Sequence, residues 1–135
     1  MSKGKITYID EADIANKRVL LRVDLNVSLN PNYSIADDVR VWQSLPTIKH
    51  LLAKNNKLII ASHLGRPKKK DPHLSLKVVV ERLKEYLPKI KIRLIDDFLT
   101  EKKETFENQK ENEILVLENI RFYLEEKNAS ATVNA

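Results

Sequence analysis

The chain has 135 residues, 42% of them hydrophobic and 32% charged, the mix of one soluble globular domain with a modest core. It has no cysteine, which excludes disulfides, thiolate metal sites and a cysteine nucleophile, and its two glycines, Gly4 and Gly65, cannot build a G-x-G-x-x-G turn or a P-loop. The net charge of +5 comes from 24 Lys and Arg residues against 19 Asp and Glu, and its meaning depends on where the arginines fall.

In chain order, residues 18–24 (Arg-Val-Leu-Leu-Arg-Val-Asp) read as a first strand, apolar on both faces as in a parallel sheet. Residues 30–34 are a turn cluster. Asp37 or Asp38 caps a helix running to about Lys54, with Val41, Leu45, Ile48, Leu51 and Leu52 at helical spacing. Pro46 kinks or breaks it, and Asn55-Asn56 closes it. The second strand covers residues 57–62, followed by a long loop over residues 63–74. Ser75 caps a helix of Val78, Val79, Leu83 and Leu87 that stops before Pro88. Residues 90–95 make a third strand, 99–108 a weaker helix and 113–117 a fourth strand.

This β-α-β-α-β-α-β alternation predicts an α/β fold: a Rossmann-like parallel sheet with right-handed crossovers and helices on both faces. In such sheets ligands bind beyond the carboxyl ends of the strands. There the sequence places Asp24-Leu25-Asn26, then Ser62 through Pro67, then Asp96-Asp97, then Glu118 through Phe122. Arg40 starts the first helix on the same rim, so Arg40, Arg66 and Arg121, with His63, gather at one edge. Such a set suits an anion with more than one charged group, such as a phosphorylated carboxylic acid. The plainer alternative is that each arginine pairs with a nearby acid: Asp37, Asp38 or Glu118. Gly65 beside His63 lets backbone approach a ligand or take positive φ.

Asp24 and Asn26 share a face if their strand continues, and then accept from and donate to a substrate hydroxyl; otherwise they form an Asx turn. No nucleophile–base pair is present. His50 and His73 lack ligand-like partners at metal spacing, and Asp96-Asp97 reads as a turn before a Mg²⁺ site, so no metal is expected. Lys68-Lys69-Lys70 could meet phosphates, although such a run is ordinarily solvated. Arginines without a nucleophile fit phosphoryl transfer, which depends on positioning and on neutralising oxygen charge.

Residues 19–27 (Val-Leu-Leu-Arg-Val-Asp-Leu-Asn-Val), 36–41 (Ala-Asp-Asp-Val-Arg-Val) with 45–48 (Leu-Pro-Thr-Ile), 62–67 (Ser-His-Leu-Gly-Arg-Pro) and 117–122 (Leu-Glu-Asn-Ile-Arg-Phe) together resemble phosphoglycerate kinase, in order and approximate spacing. The blocks span nearly the whole chain but only the N-terminal part of that enzyme. The family has two Rossmann-like domains about a cleft. The resemblance implies that residues 1–135 are part of the N-terminal, 3-phosphoglycerate-binding domain, with the C-terminal nucleotide-binding domain absent. It implies the reversible transfer of a phosphoryl group between ATP and 3-phosphoglycerate, giving 1,3-bisphosphoglycerate, in glycolysis. Asp24, Leu25 and Asn26 then bind the glycerate moiety. Arg40 contacts the carboxylate and stabilises the phosphoryl group in flight. His63, Arg66 and Arg121 hold the 3-phosphate, and Leu64 and Gly65 line the site through their backbones.

Two departures lie in loops: Ser28 stands where the family usually has Pro, and Tyr33-Ser34 replaces a Gly-containing turn. The stretch 128–135 is not the family's continuation, and nothing matches its ATP–Mg²⁺ site, so Mg-ATP is assigned to the missing domain and the isolated chain is expected to be inactive. An open sheet edge leads us to expect self-association. A non-catalytic anion-binding or interaction module that keeps the fold is the alternative. A basic nucleic-acid binder is disfavoured by an aromatic fraction of 6% and by arginines at strand ends. The apolar runs are short and the first five residues carry no secretory core, so a cytoplasmic protein without membrane contact is expected.

Overall fold

The computed structural model describes residues 13–123, so the expectations placed on 1–5 and 128–135 fall outside it. Its elements are β1 (Arg18–Arg22), β2 (Ser28–Leu29), β3 (Ile35–Asp37), α1 (Val39–Leu52), β4 (Lys57–Ala61), α2 (Lys77–Tyr86), β5 (Lys91–Ile95), α3 (Lys103–Glu107) and β6 (Glu113–Leu117). Short 3-10 turns cover Pro72–Leu74 and Ile120–Phe122. Four strands form one parallel sheet in the order β1-β4-β6-β5, and β2 pairs antiparallel with β3 beside it.

That order follows from chain direction and handedness. The path steps from β1 to β4, out to β5, then back to β6. Right-handed crossovers put helices on one face while the path runs one way and on the other when it reverses. The core divides accordingly. Val41, Leu45, Ile48 and Leu51 of α1 and Val79, Val80 and Leu83 of α2 pack with Leu58, Ile60, Ile92, Ile114 and Val116. Across the sheet, Phe98 and Phe106 pack against Ala61, Ile95, Leu115, Leu117 and Ile120. The α/β architecture with a parallel sheet is therefore as expected. β1 is its least covered strand: Val19 and Leu21 meet the α1 and α2 side, while Leu20 between them is 66% exposed.

Several local readings change. The first strand ends at Arg22, so Asp24 to Asn26 are loop, not strand. The turn at residues 30–34 is the tip of the small β2–β3 hairpin, where Tyr33 takes φ 67° and its ring stacks on His73 at 4.3 Å. Pro46 stays inside α1 without ending it. Asn56, fully buried, does close that region: its amide donates to Leu51 O at 2.8 Å and Ile14 O at 2.9 Å, and its oxygen accepts Lys17 N at 3.0 Å. The expected helix over 99–108 shrinks to α3, five residues long.

The starts of α1 and α2 are held by side chains two residues before them. Asp38 precedes α1, but it is Asp37 whose carboxylate accepts Val39 N at 2.8 Å. The Asp38 carboxylate instead accepts from Arg82 Nη1 and Tyr86 Oη on α2, each at 2.7 Å. Ser75 accepts Lys77 N at 3.1 Å at the start of α2, and Leu76 N beside it donates to Glu118 at 2.8 Å.

Candidate functional site

β1, β4 and β6 are consecutive in the sheet and parallel, so their exits lie side by side at its carboxyl edge. The three exit loops are laced together by hydrogen bonds. Ser62 Oγ, buried at the end of β4, accepts Leu25 N from the β1 loop at 2.9 Å. Asn26 Oδ1 accepts Gly65 N at 2.9 Å. Ser62 O accepts Ile120 N from the β6 exit at 3.1 Å. Asn119, with no exposed surface, donates from Nδ2 to Leu64 O at 2.7 Å and to Leu74 O at 2.9 Å, while its Oδ1 accepts Arg121 N at 3.0 Å. Leu25 and Leu64 are buried beneath the loops as anchors.

The named side chains sort into two groups. Arg40 Nη1 forms an ion pair with Asp24 Oδ2, and the two side chains are 49% and 53% exposed. Both line a hollow of about 270 Å³ with Val23, Gln43, Ser44 and Thr47. Asp24 Oδ1 also accepts Asn26 N at 3.0 Å, the Asx-turn alternative. Asn26 therefore spends its carbonyl on Gly65 and keeps its NH₂ for a further acceptor. His63, Arg66 and Arg121 lie outside that hollow, on the loops after β4 and β6. The six residues follow strand ends or open α1, and of them only Asp24 and Arg40 line this hollow.

The acids offered as partners for the rim arginines are otherwise engaged. Asp37 takes Val39 N, Asp38 takes Arg82 and Tyr86, and Glu118 takes Ser75 Oγ at 2.6 Å together with Leu76 N. The guanidinium groups of Arg66 and Arg121 have no hydrogen-bond or ion-pair partner among the described residues. Cations left in this state at a strand-end rim are suited to an incoming anion.

Gly65 is required by its backbone. Its φ is +64°, and a Cβ there would stand 3.0 Å from Leu74 Cδ2. Lys70 pairs loosely with Asp96 at 3.3 Å, so the lysine run is solvated on an exposed loop. Asp97 is a turn residue, accepting Leu99 N at 3.1 Å and Thr100 Oγ1 at 3.0 Å; the Thr100 hydrogen bond above all holds its carboxyl below the usual range.

A larger hollow, about 540 Å³, opens at the amino ends of β5 and β6. Two of its three cations already have an acid beside them, with Glu113 set 3.3 Å from Arg93 and 3.8 Å from Lys91. It lies at the end of the sheet opposite the strand exits, where α/β sheets do not place ligands.

Ser62, Glu118 and Asn119 organise the site, yet spacing alone singled out none of them. Their one local signal is position: each is a buried polar residue within two positions of the end of an apolar strand. Buried polar groups need partners, and here the partners are neighbouring loops.

The model of the family described as phosphoglycerate kinase matches residues 9–135, so the match includes the stretch 128–135 that was expected to depart from the family. The chain belongs to the phosphoglycerate kinase family. It is 45% identical over 117 residues to phosphoglycerate kinase of Aquifex aeolicus, an overlap covering 86% of this chain and 29% of that protein. Against phosphoglycerate kinase of Dictyoglomus turgidum it is 46% identical over 127 residues, covering 94% and 32%. Among solved structures, phosphoglycerate kinase from Pyrococcus horikoshii superposes with TM-score 0.76 at 31% identity, covering 90% of this chain and 29% of that one. The enzyme from Coxiella burnetii gives TM-score 0.71 at 31% identity, covering 84% and 27%. The chain thus spans about a third of the length of the curated relatives it matches.

One similar protein from Nicotiana tabacum is named cytosolic and one from Arabidopsis thaliana chloroplastic, so the family occupies more than one compartment. Among the described residues no helix is long and apolar enough to cross a membrane. The same residues hold no group of three or more His, Asp or Glu able to bind a metal ion.

Proposed function

We propose that this chain supplies the 3-phosphoglycerate side of a phosphoglycerate kinase, as part of its N-terminal domain, in a cytoplasmic setting. The observation that carries the reading is the rim: Arg66 and Arg121, without partners among the described residues, stand on two exits laced to a third that bears Asp24 and Asn26. In this reading His63, Arg66 and Arg121 hold the 3-phosphate. Asp24, Leu25, Asn26 and the Leu64-Gly65 backbone hold the glycerate. Arg40, kept in place by Asp24 in the empty site, turns to the carboxylate and the moving phosphoryl group. Mg-ATP is held by a second domain outside this sequence, and the 135 residues alone bind without catalysing. Among the described residues β1 stands at the end of the sheet, and its exposed Leu20 supports self-association on that side, read by light scattering against concentration.

The test is competitive calorimetry with 3-phosphoglycerate and ATP as titrants. Weak binding of 3-phosphoglycerate that fades with added salt, with ATP weaker still, supports the reading. Tighter binding of ATP contradicts it and favours the anion-binding module with another ligand.

A further inference from the structure

We infer that Glu118 and Asn119 are positioning residues that clamp both ends of the 64–76 loop to the exit of β6, so that the anion-binding groups of two loops move as one unit. The inference rests on reading this rim as the 3-phosphoglycerate side.

The clamp is made of two adjacent, buried side chains with 2% and 0% exposure. Asn119 uses both amide hydrogens on the loop: one reaches Leu64 O, where the loop leaves β4, and the other reaches Leu74 O, where it returns. Its oxygen accepts Arg121 N, tying the third anion-binding residue to the same amide. Glu118 Oε1 accepts Leu76 N and Asn119 N, each at 2.8 Å, and Oε2 accepts Ser75 Oγ at 2.6 Å.

The residue types follow from this arrangement. Only a side-chain amide offers two donors and an acceptor at that reach; aspartate would put negative charge against two carbonyls. The Glu118 carboxylate has no cation beside it in these contacts. Its charge is met instead by Leu76 N at the start of α2, where the helix dipole favours an anion, by the Ser75 hydroxyl and by Asn119 N. Between the clamped ends lies the exposed segment carrying Gly65, Arg66 and the three lysines. A loop of this length fixed at one end would sample many arrangements. Fixed at both, with Gly65 N also held by Asn26, it presents Arg66 against a fixed Arg121.

The test uses the full 135-residue chain. Amide hydrogen exchange without ligand reads the clamp, and titration with 3-phosphoglycerate reads its consequence. Asn119→Ala is expected to speed exchange at Gly65 and Leu76 about tenfold or more beyond any change at Ile60 and Val116, and to weaken 3-phosphoglycerate binding by a similar factor. Glu118→Ala does the same at Leu76. Glu118→Gln restores wild-type exchange, because Oε1 still accepts both N–H groups and Nε2 donates to a rotated Ser75 hydroxyl. Should Asn119→Ala not fold, Asn119→Ser keeps one donor and is read identically. Exchange that rises uniformly through the sheet, or not at all, overturns the clamp. Local loosening in a chain whose unaltered form does not bind 3-phosphoglycerate leaves the clamp standing and overturns the proposed function instead.

Discussion

Asn26 and Gly65 meet across 39 residues of sequence, the Asn26 side-chain oxygen accepting the Gly65 amide hydrogen at 2.9 Å. One hydrogen bond thus couples the loop after β1 to the loop after β4, at the one described residue whose positive φ is carried by glycine.

Gly65→Ala is expected to destabilise the fold by about 1–2 kcal/mol, the cost of an L side chain in the left-handed region. Leu74 adds to this cost, since the new methyl would stand 3.0 and 3.1 Å from its two terminal carbons. Urea unfolding checks the magnitude. Adding Leu74→Ala should not restore stability, because the backbone term remains and a half-buried leucine is lost.

Tyr33 is the opposite case, a bulky residue at φ 67° in a turn where Gly would be the easier choice. Its ring stacks on His73 at an interplanar angle of 16°, which offsets part of the strain. Tyr33→Ala loses the stack and keeps the strain. Tyr33→Gly loses both, so the glycine variant should be the more stable of the two by about 1 kcal/mol. Equal thermal midpoints would contradict the positive φ.

The Asp38 cluster makes stability depend on pH in a defined sense. The Tyr86 hydroxyl, then Arg82, hold the Asp38 carboxyl below its ordinary value of 3.8. A depressed folded pKa contributes stability above the unfolded value that is lost as pH falls through the lower folded one. Tyr86 is raised above 10.0 by donating to Asp38, so its contribution is present below that pH and lost as pH rises through the folded value. Between about pH 5 and 9 the cluster should be silent. Asp38→Asn should lower the urea midpoint at neutral pH, and the gap to the unaltered chain should close in strong acid. A gap that persists there would mean that the ionised form is not what the cluster stabilises.

Arg40→Ala should leave stability nearly unchanged, within about 0.5 kcal/mol, because its pair with Asp24 is half exposed. Under the proposed function its effect falls on the chemical step. In a full-length enzyme containing this segment, kcat should fall about a hundredfold or more, as when other charge stabilisers are lost. A raised KM with normal kcat would assign Arg40 to binding alone.

What the sequence made legible follows the range of the forces involved. β6 matches its expected bounds at Glu113 to Leu117 because a continuous apolar run between polar turns is a local signature of a strand buried on both faces. β2 and β3 left no such trace, being two and three residues long, too short for any period. Asp38 was readable as a helix start, but not its engagement with Arg82 and Tyr86, 44 and 48 residues away. The rim residues were legible as a set because they follow strands. Ser62, Glu118 and Asn119 follow the same strands, but their roles were not legible, because those exist only once three exits have been brought together.

In the proposed function three strand exits form one 3-phosphoglycerate surface. Backbone amide shifts of the isotopically labelled chain, followed through a 3-phosphoglycerate titration, test it most directly. Shifts should cluster at Asp24 to Asn26, His63 to Arg66 and Asn119 to Arg121, with one shared Kd of about 1 mM, or about −4 kcal/mol, that weakens as salt rises. Shifts that cluster instead at Lys91, Arg93 and Lys110 around the opposite hollow, or the same three loops responding to ATP at lower concentration than to 3-phosphoglycerate, would contradict it.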